Sequence, residues 1–241
     1  MRLPETRVLG AVIFDFDHTL TDFGRGVDWR RARDELVALY DATGIDTAAV
    51  TRARGSLTLI AALDAAVARR HSLERAYATR VEASRILERV ELAGALHASF
   101  LPGAAAVLEE AGRAGLDLAI VSANAASAIR ATLDRLGVLE RFVVVVGRDP
   151  CRPLKPEPDM HREALRVLGC AAEAALGIGD STNDVRAALA AGMLAVGVAG
   201  GESPPEELLA AGASFVLADL TAAPTLLALW RAAAEDAPPL P

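Results

Sequence analysis

The segment AVIFDFDHTL, residues 11–20, runs strand-forming apolar residues straight into Asp15 and Asp17, with Thr19 two residues further on. Side chains along a strand alternate between faces, so these three residues face one way if extended geometry persists. Two carboxylates that close repel one another unless a cation or a shared proton relieves them. Three further segments offer groups that could share a site with them. The stretch LDLAIVSAN, residues 116–124, ends an apolar run in Ser122 and Asn124 just ahead of a helix start, where backbone N–H groups and a hydroxyl suit a phosphate oxygen. The loop GRDPCRPLKPEP, residues 147–158, holds Lys155. The stretch LGIGDSTND, residues 176–184, ends a strand-like run in Asp180 and then Asp184, with Ser181 and Asn183 opening a helix. Among the 25 lysines and arginines of the chain, Lys155 is the only lysine. Arginine fills every other basic position, and a compact ammonium on a flexible stem does what a planar guanidinium does not.

The elements that position these residues follow from periodicity. From residue 100 onward, apolar strand-like runs alternate with amphipathic stretches of helical period, the rhythm of a parallel sheet with crossover helices on both faces. Glycines close the helical stretches at Gly115, Gly137, Gly169, Gly192 and Gly212, where a left-handed C-cap is wanted. Residues 22–99 read differently: no strand stands out, and helix-like stretches such as WRRARDELVALYDAT and LERAYATRVEASRILERVELAGAL are broken at Gly44 and Gly55. The expected organisation is an α/β, doubly wound parallel-sheet core from residues 1–21 and 100–241, with an inserted helical domain over 22–99. In open α/β sheets the ligand site lies outside the carboxyl ends of the strands, where all the residues named above fall.

Composition narrows the function classes. A net charge of −7 with no basic stripe speaks against a nucleic-acid surface. The opening MRLPETRVLG lacks the pattern of a secretory signal, and no apolar run reaches a membrane span, so a soluble, cytoplasmic protein is expected, as a monomer or homodimer. Cys151 and Cys170 lie in no paired or metal-like spacing and are expected neither to form a disulfide nor to act in catalysis.

Taken in order, DFDHT, VSAN, KPEPD and GDSTND resemble the four motifs of the haloacid dehalogenase superfamily, and the helical segment resembles the cap of its phosphoglycolate phosphatase-like and β-phosphoglucomutase-like members. The resemblance implies a Rossmann-like core and a Mg²⁺-dependent phosphatase acting on a small phosphorylated metabolite. In that reading Asp15 is the nucleophile that becomes an aspartyl phosphate, and Asp17 protonates the leaving oxygen and then activates water. Thr19, Ser122, Asn124 and Lys155 hold the phosphoryl group. Asp15, the main-chain carbonyl of Asp17, Asp180 and Asp184 serve the metal. Asp17 argues against dehalogenation, and the absence of lysine from residues 22–99 argues against phosphonate cleavage. A sugar phosphomutase is the alternative, and a non-catalytic phosphate-binding module a more distant one. His18 stands where many members have glycine, and a structural or cap-contact role is expected for it. Arg25, Arg30, Arg52 and Arg54 are expected on solvated faces, and Trp29 as an anchor of the helical bundle.

Overall fold

The computed structural model describes residues 9–48 and 56–235. Six parallel strands form one sheet in the order β3-β2-β1-β4-β5-β6. The strands are β1 (Ala11–Phe14), β2 (Asp117–Val121), β3 (Phe142–Val146), β4 (Ala175–Gly179), β5 (Leu194–Val198) and β6 (Phe215–Leu217). Chain reversals between them run through α4 (Ala104–Arg113), α5 (Ala126–Arg135), α6 (Asp159–Leu168), α7 (Thr182–Ala190) and α8 (Pro205–Ala210), and α9 (Ala223–Glu235) follows β6. Between β1 and α4 lie α1 (Trp29–Asp41), α2 (Ser56–Arg70) and α3 (Leu73–Gly94), with no strand among the described residues there. Among the described residues no helix is long and apolar enough to cross a membrane.

The central strands are hydrophobic throughout because both faces of the sheet are covered. Their alternation sorts residues into two layers. Val12 and Phe14 of β1, with Leu118 and Ile120 of β2, join a core built with Val107 of α4, Ile129 of α5 and Trp230 of α9. Ala11 and Ile13, with Ala119 and Val121, join the opposite layer with Met160 of α6, Val185 of α7 and Leu208 of α8. The first layer continues through Phe16, Leu20 and Phe23 into Leu36, Tyr40, Leu63 and Leu87 of the three inserted helices.

Local signals account for the helix ends. Asp28 caps α1 by accepting from the Arg31 N–H, Ser72 caps α3, and Ser181 with Asp184 forms a reciprocal capping box on α7. The five glycines expected at C-caps all have positive φ, from 62° to 106°. The alternation of strands and helices follows the sequence reading from residue 100 to β6, and α9 extends it: TLLALW carries enough apolar residues to bury Trp230, but its alanine-rich surroundings mask the helical period. Gly55, Arg52 and Arg54 lie outside the described residues.

Where the inserted segment rejoins the core, Gly103 sits at φ 84° as the N-cap of α4, and a Cβ there would meet the backbone of Leu220 and Thr221 at 2.2 and 2.3 Å. Gly115 has φ 68° and open space. Urea unfolding is therefore expected to show Gly103→Ala destabilised by about 2 kcal/mol or more, and Gly115→Ala by about 1 kcal/mol. Equal losses would show that the packing against residues 220–221 carries no weight.

Candidate active site

Because every strand is parallel, the residues following β1, β2, β3 and β4 emerge at one edge of the sheet. Asp15 follows β1 directly, its N–H bonded to the Ile178 carbonyl of β4. Lys155 reaches back from the loop after β3 and donates to Asp15 Oδ1 at 2.6 Å, to Asp184 Oδ1 at 2.5 Å and to the Val121 carbonyl at 3.1 Å. All three ammonium protons are thus engaged, and the side chain is 8% exposed. Asp180 follows β4; its Oδ2 accepts from the Glu202 N–H at 2.6 Å and its Oδ1 from the Thr19 hydroxyl at 3.3 Å. The Gly201 backbone passes so close that a Cβ there would meet Asp180 Oδ2 at 2.0 Å.

Asp15, Asp180 and Asp184 each offer a carboxylate oxygen, all within 4.8 Å of one another. Facing a single ammonium, three carboxylates leave excess negative charge in a largely buried space. Burial, opposed by Lys155 and reinforced by Asp184 and Asp180, holds the Asp15 carboxyl well above the usual carboxylate range. Burial and then the Asp184 charge push Asp180 up to about 6. Asp184 goes the other way: burial works against its ionised form, but Lys155 and the Ser181 hydrogen bonds hold its carboxyl below the ordinary value. For Lys155, burial opposes the charged form and the Asp15 and Asp184 carboxylates outweigh it, so the ammonium stays protonated. A buried cluster of carboxylate oxygens with surplus negative charge is a donor set that suits a hard divalent cation.

The structure modifies several expectations drawn from the strand pattern. The chain turns over residues 18–20, after Asp17, and His18 adopts φ 61°. That left-handed conformation is the one glycine takes without strain, so a histidine there is held by its surroundings. Burial alternates through this stretch, with Phe14 and Phe16 buried and Asp15 and Asp17 partly exposed. Asp17 Oδ1 accepts from the Gly24 N–H at 2.8 Å, its Oδ2 lies 3.8 Å from His18 Nε2, and burial raises its pKa. Thr19 is buried with its hydroxyl turned to Asp180. Asp184 has both oxygens engaged, Oδ1 by Lys155 and Oδ2 by the Ser181 N–H and hydroxyl.

Ser122 is buried at the end of β2, its hydroxyl 3.0 Å from Asn124 Oδ1. The Asn124 amide does not face the carboxylates as a free ligand; its Nδ2 donates to Glu91 of α3 at 3.2 Å. Glu91 and its partner Arg148 have no counterpart in the sequence reading, because a glutamate within a helix and an arginine in an arginine-rich chain carry no local signal. Nor does His161 of α6, which is buried with Nδ1 unpartnered and whose pKa burial pushes down to about 3. Trp29 donates from its indole N–H to the Gly24 carbonyl at 3.0 Å and so braces the turn that holds Asp17. Arg25 and Arg30 are exposed, and Cys151 and Cys170 are free thiols.

The sequence matches the haloacid dehalogenase-like hydrolase family over residues 9–192. It is 34% identical over 216 residues to a phosphoglycolate phosphatase of Rhodospirillum rubrum, covering 87% of each chain. It is 30% identical over 203 residues to protein CbbY of Cereibacter sphaeroides, covering 77% of this chain and 82% of that one. Among solved structures, a hydrolase from Pseudomonas syringae superposes with a TM-score of 0.65 at 25% identity, covering 91% of this chain and 98% of that one. CbbY from Rhodobacter sphaeroides in complex with phosphate shares the fold at a TM-score of 0.60 and 24% identity, over 89% and 96% of the two chains. With the motif residues gathered at one sheet edge and the family matched over most of its length, the chain belongs to the haloacid dehalogenase-like hydrolases.

Proposed function

We propose that the protein is a divalent-metal-dependent phosphatase that hydrolyses small phosphomonoesters, phosphoglycolate among them, through a phosphorylated Asp15. The observation that carries this reading is the grouping of Asp15, Lys155, Asp180 and Asp184 around one space, with Asp17 two residues after Asp15 and its Oδ1 held by the Gly24 N–H. Asp15, whose Oδ1 faces Lys155, attacks phosphorus with its other oxygen as the ester oxygen leaves. Asp17 gives that leaving oxygen a proton from Oδ2, the oxygen not bound to Gly24. It then takes a proton from the water that cleaves the acyl phosphate, returning Asp15 to a carboxylate and releasing inorganic phosphate. The raised pKa of Asp17 suits a group that carries the proton in one step and accepts one in the next. Lys155 and Ser122 face the phosphoryl oxygens, each exchanging one of its present hydrogen bonds for one to phosphate. Asp15, Asp180 and the Asp17 carbonyl would hold Mg²⁺, with Asp184 supporting it through its hold on Lys155. When bound, the ion supplies positive charge for the phosphoryl oxygens.

Residues 22–99 fit the part of a cap domain over this edge. Such a cover excludes bulk water and favours substrates small enough to be enclosed. The similarity to a phosphoglycolate phosphatase supports the same substrate class.

Two measurements test the reading. Hydrolysis of an aryl phosphate is expected to need Mg²⁺, to stop on chelation, and to fall by about a thousandfold or more in Asp15→Asn. Activity surviving both changes would overturn the mechanism. Small phosphomonoesters are expected to exceed phosphopeptides in kcat/KM, and the reverse order would overturn the cap's assigned role.

The metal assignment has its own pH signature. Asp180 in the metal-free fold keeps its proton to about pH 6, against an ordinary 3.8. Between those values the folded state binds more protons than the unfolded one, so this group withdraws stability as pH rises through that window. Metal-free protein is therefore expected to lose more stability between pH 4 and 6 than Asp180→Asn does. Mg²⁺ should raise the unfolding midpoint of the wild type strongly at pH 8 and little at pH 5. A Mg²⁺ shift independent of pH would exclude these carboxylates as the site.

A further inference from the structure

Helix α3 lays one face against the loops that carry the proposed phosphate holders. Tyr77, Arg80, Ser84, Glu88 and Glu91, spaced by three and four residues, each bond to the segments following β2 or β3. The innermost is Glu91, whose side chain is 1% exposed and whose partner Arg148 is 6% exposed. The pairing is bidentate, Arg148 Nη1 to Glu91 Oε1 and Nη2 to Oε2, both at 2.9 Å. Each oxygen also takes a second donor, from the β2–α5 turn: Oε1 the Asn124 amide at 3.2 Å, and Oε2 the Ala125 N–H at 2.9 Å. Arg148 closes the circuit by donating to the Ala123 carbonyl at 2.8 Å.

A buried ion pair is weak evidence for stability, since an apolar pair of similar size often serves as well. What an apolar pair would not supply here is the set of contacts to residues 123–125. The N-cap of α5 is Ala125, which has no side-chain acceptor of its own. Glu91 takes the N–H of this N-cap residue from another helix, setting a carboxylate near the positive end of α5. It also fixes the Asn124 amide so that Oδ1 faces the Ser122 hydroxyl.

We propose that Glu91, locked by Arg148, is a positioning residue: from helix α3 it holds the Ser122–Ala125 turn so that Ser122 is set to take phosphate on the Lys155 side. This inference rests on the phosphatase reading, and it concerns affinity for phosphate and not the chemical groups.

The test compares Glu91→Gln, which keeps size and removes the charge, with Glu88→Ala, which removes the neighbouring contact to Ser127. Binding of inorganic phosphate to the Mg²⁺-loaded protein is measured by calorimetry, kcat and KM with an aryl phosphate, and folding by the thermal midpoint. Glu91→Gln is expected to weaken phosphate binding and raise KM together, by about tenfold, the scale for loss of a group that orients a ligand-holding residue. Glu88→Ala should leave both within about twofold, since this part-buried hydrogen bond to Ser127 touches none of residues 122–125. A folded Glu91→Gln with unchanged or tighter phosphate binding overturns the proposal, and so does an equal loss in Glu88→Ala. Where Glu91→Gln does not fold, Arg148→Lys decides: it keeps the charge but loses the second arm, and unchanged phosphate affinity in that variant overturns the proposal. Wild-type protein that binds phosphate with Mg²⁺ but hydrolyses no ester would count against the phosphatase reading alone, whereas wild type that binds no phosphate would sink both.

Discussion

The Lys155 ammonium meets the carboxylate that follows β1, the last carbonyl of β2 and the Asp184 carboxylate in the first turn of α7. Each of these groups would be costly alone: two buried carboxylates repel, and a buried ammonium without partners loses its proton. Together they form a network in which every ammonium proton has an acceptor, and it can form only where parallel strands bring their ends to one edge. Asp184 shows how closely the parts depend on one another, since the same carboxylate caps α7 through Ser181 and holds Lys155. Position of the helix, position of the lysine and charge of the site are therefore one arrangement. Burial first, and then the neighbouring carboxylates, hold the pKa values of Asp15 and Asp180 up, so three carboxylates share this space with one ammonium.

A second constraint acts from outside the sheet. The inserted helices share a hydrophobic layer with the core through Phe16, Leu20 and Phe23, residues of the turn that also carries Asp17 and Thr19. Trp29 braces this turn through Gly24, whose N–H holds Asp17, so packing of the helical segment and placement of the second aspartate are linked within a few residues. At the other end α3 is fastened by the Glu91–Arg148 pair. Removing one partner of a buried pair costs about 3–5 kcal/mol, whereas exposed pairs elsewhere, such as Arg166–Glu163, are screened by water and contribute little. Charge in this chain matters for structure mainly where water is excluded.

His18 illustrates how a departure from the family pattern is absorbed. The turn after Asp17 needs a residue at positive φ, and a histidine there is strained by about 1 kcal/mol relative to glycine. Its ring, more than half exposed, lies 3.8 Å from the Asp17 carboxylate.

Much of this was written locally. Alternation of apolar runs with amphipathic ones determined the parallel sheet, because a strand covered on both faces needs continuous apolar residues and a crossover helix needs one apolar stripe. Residue types just past each strand determined which groups would gather at its carboxyl edge, and a lone lysine marked itself by composition. Tertiary structure alone decided how those groups divide their hydrogen bonds. That Asp17 turns to Gly24, that Thr19 leans on Asp180, that both oxygens of Asp184 are engaged and that Asn124 faces Glu91 depend on partners brought close by folding. Glu91 and Arg148 are 57 residues apart, on a helix and a loop whose local patterns say nothing of each other. Periodicity reports which side of an element is buried. The competition among donors and acceptors for a limited buried space is resolved only once every element is in place.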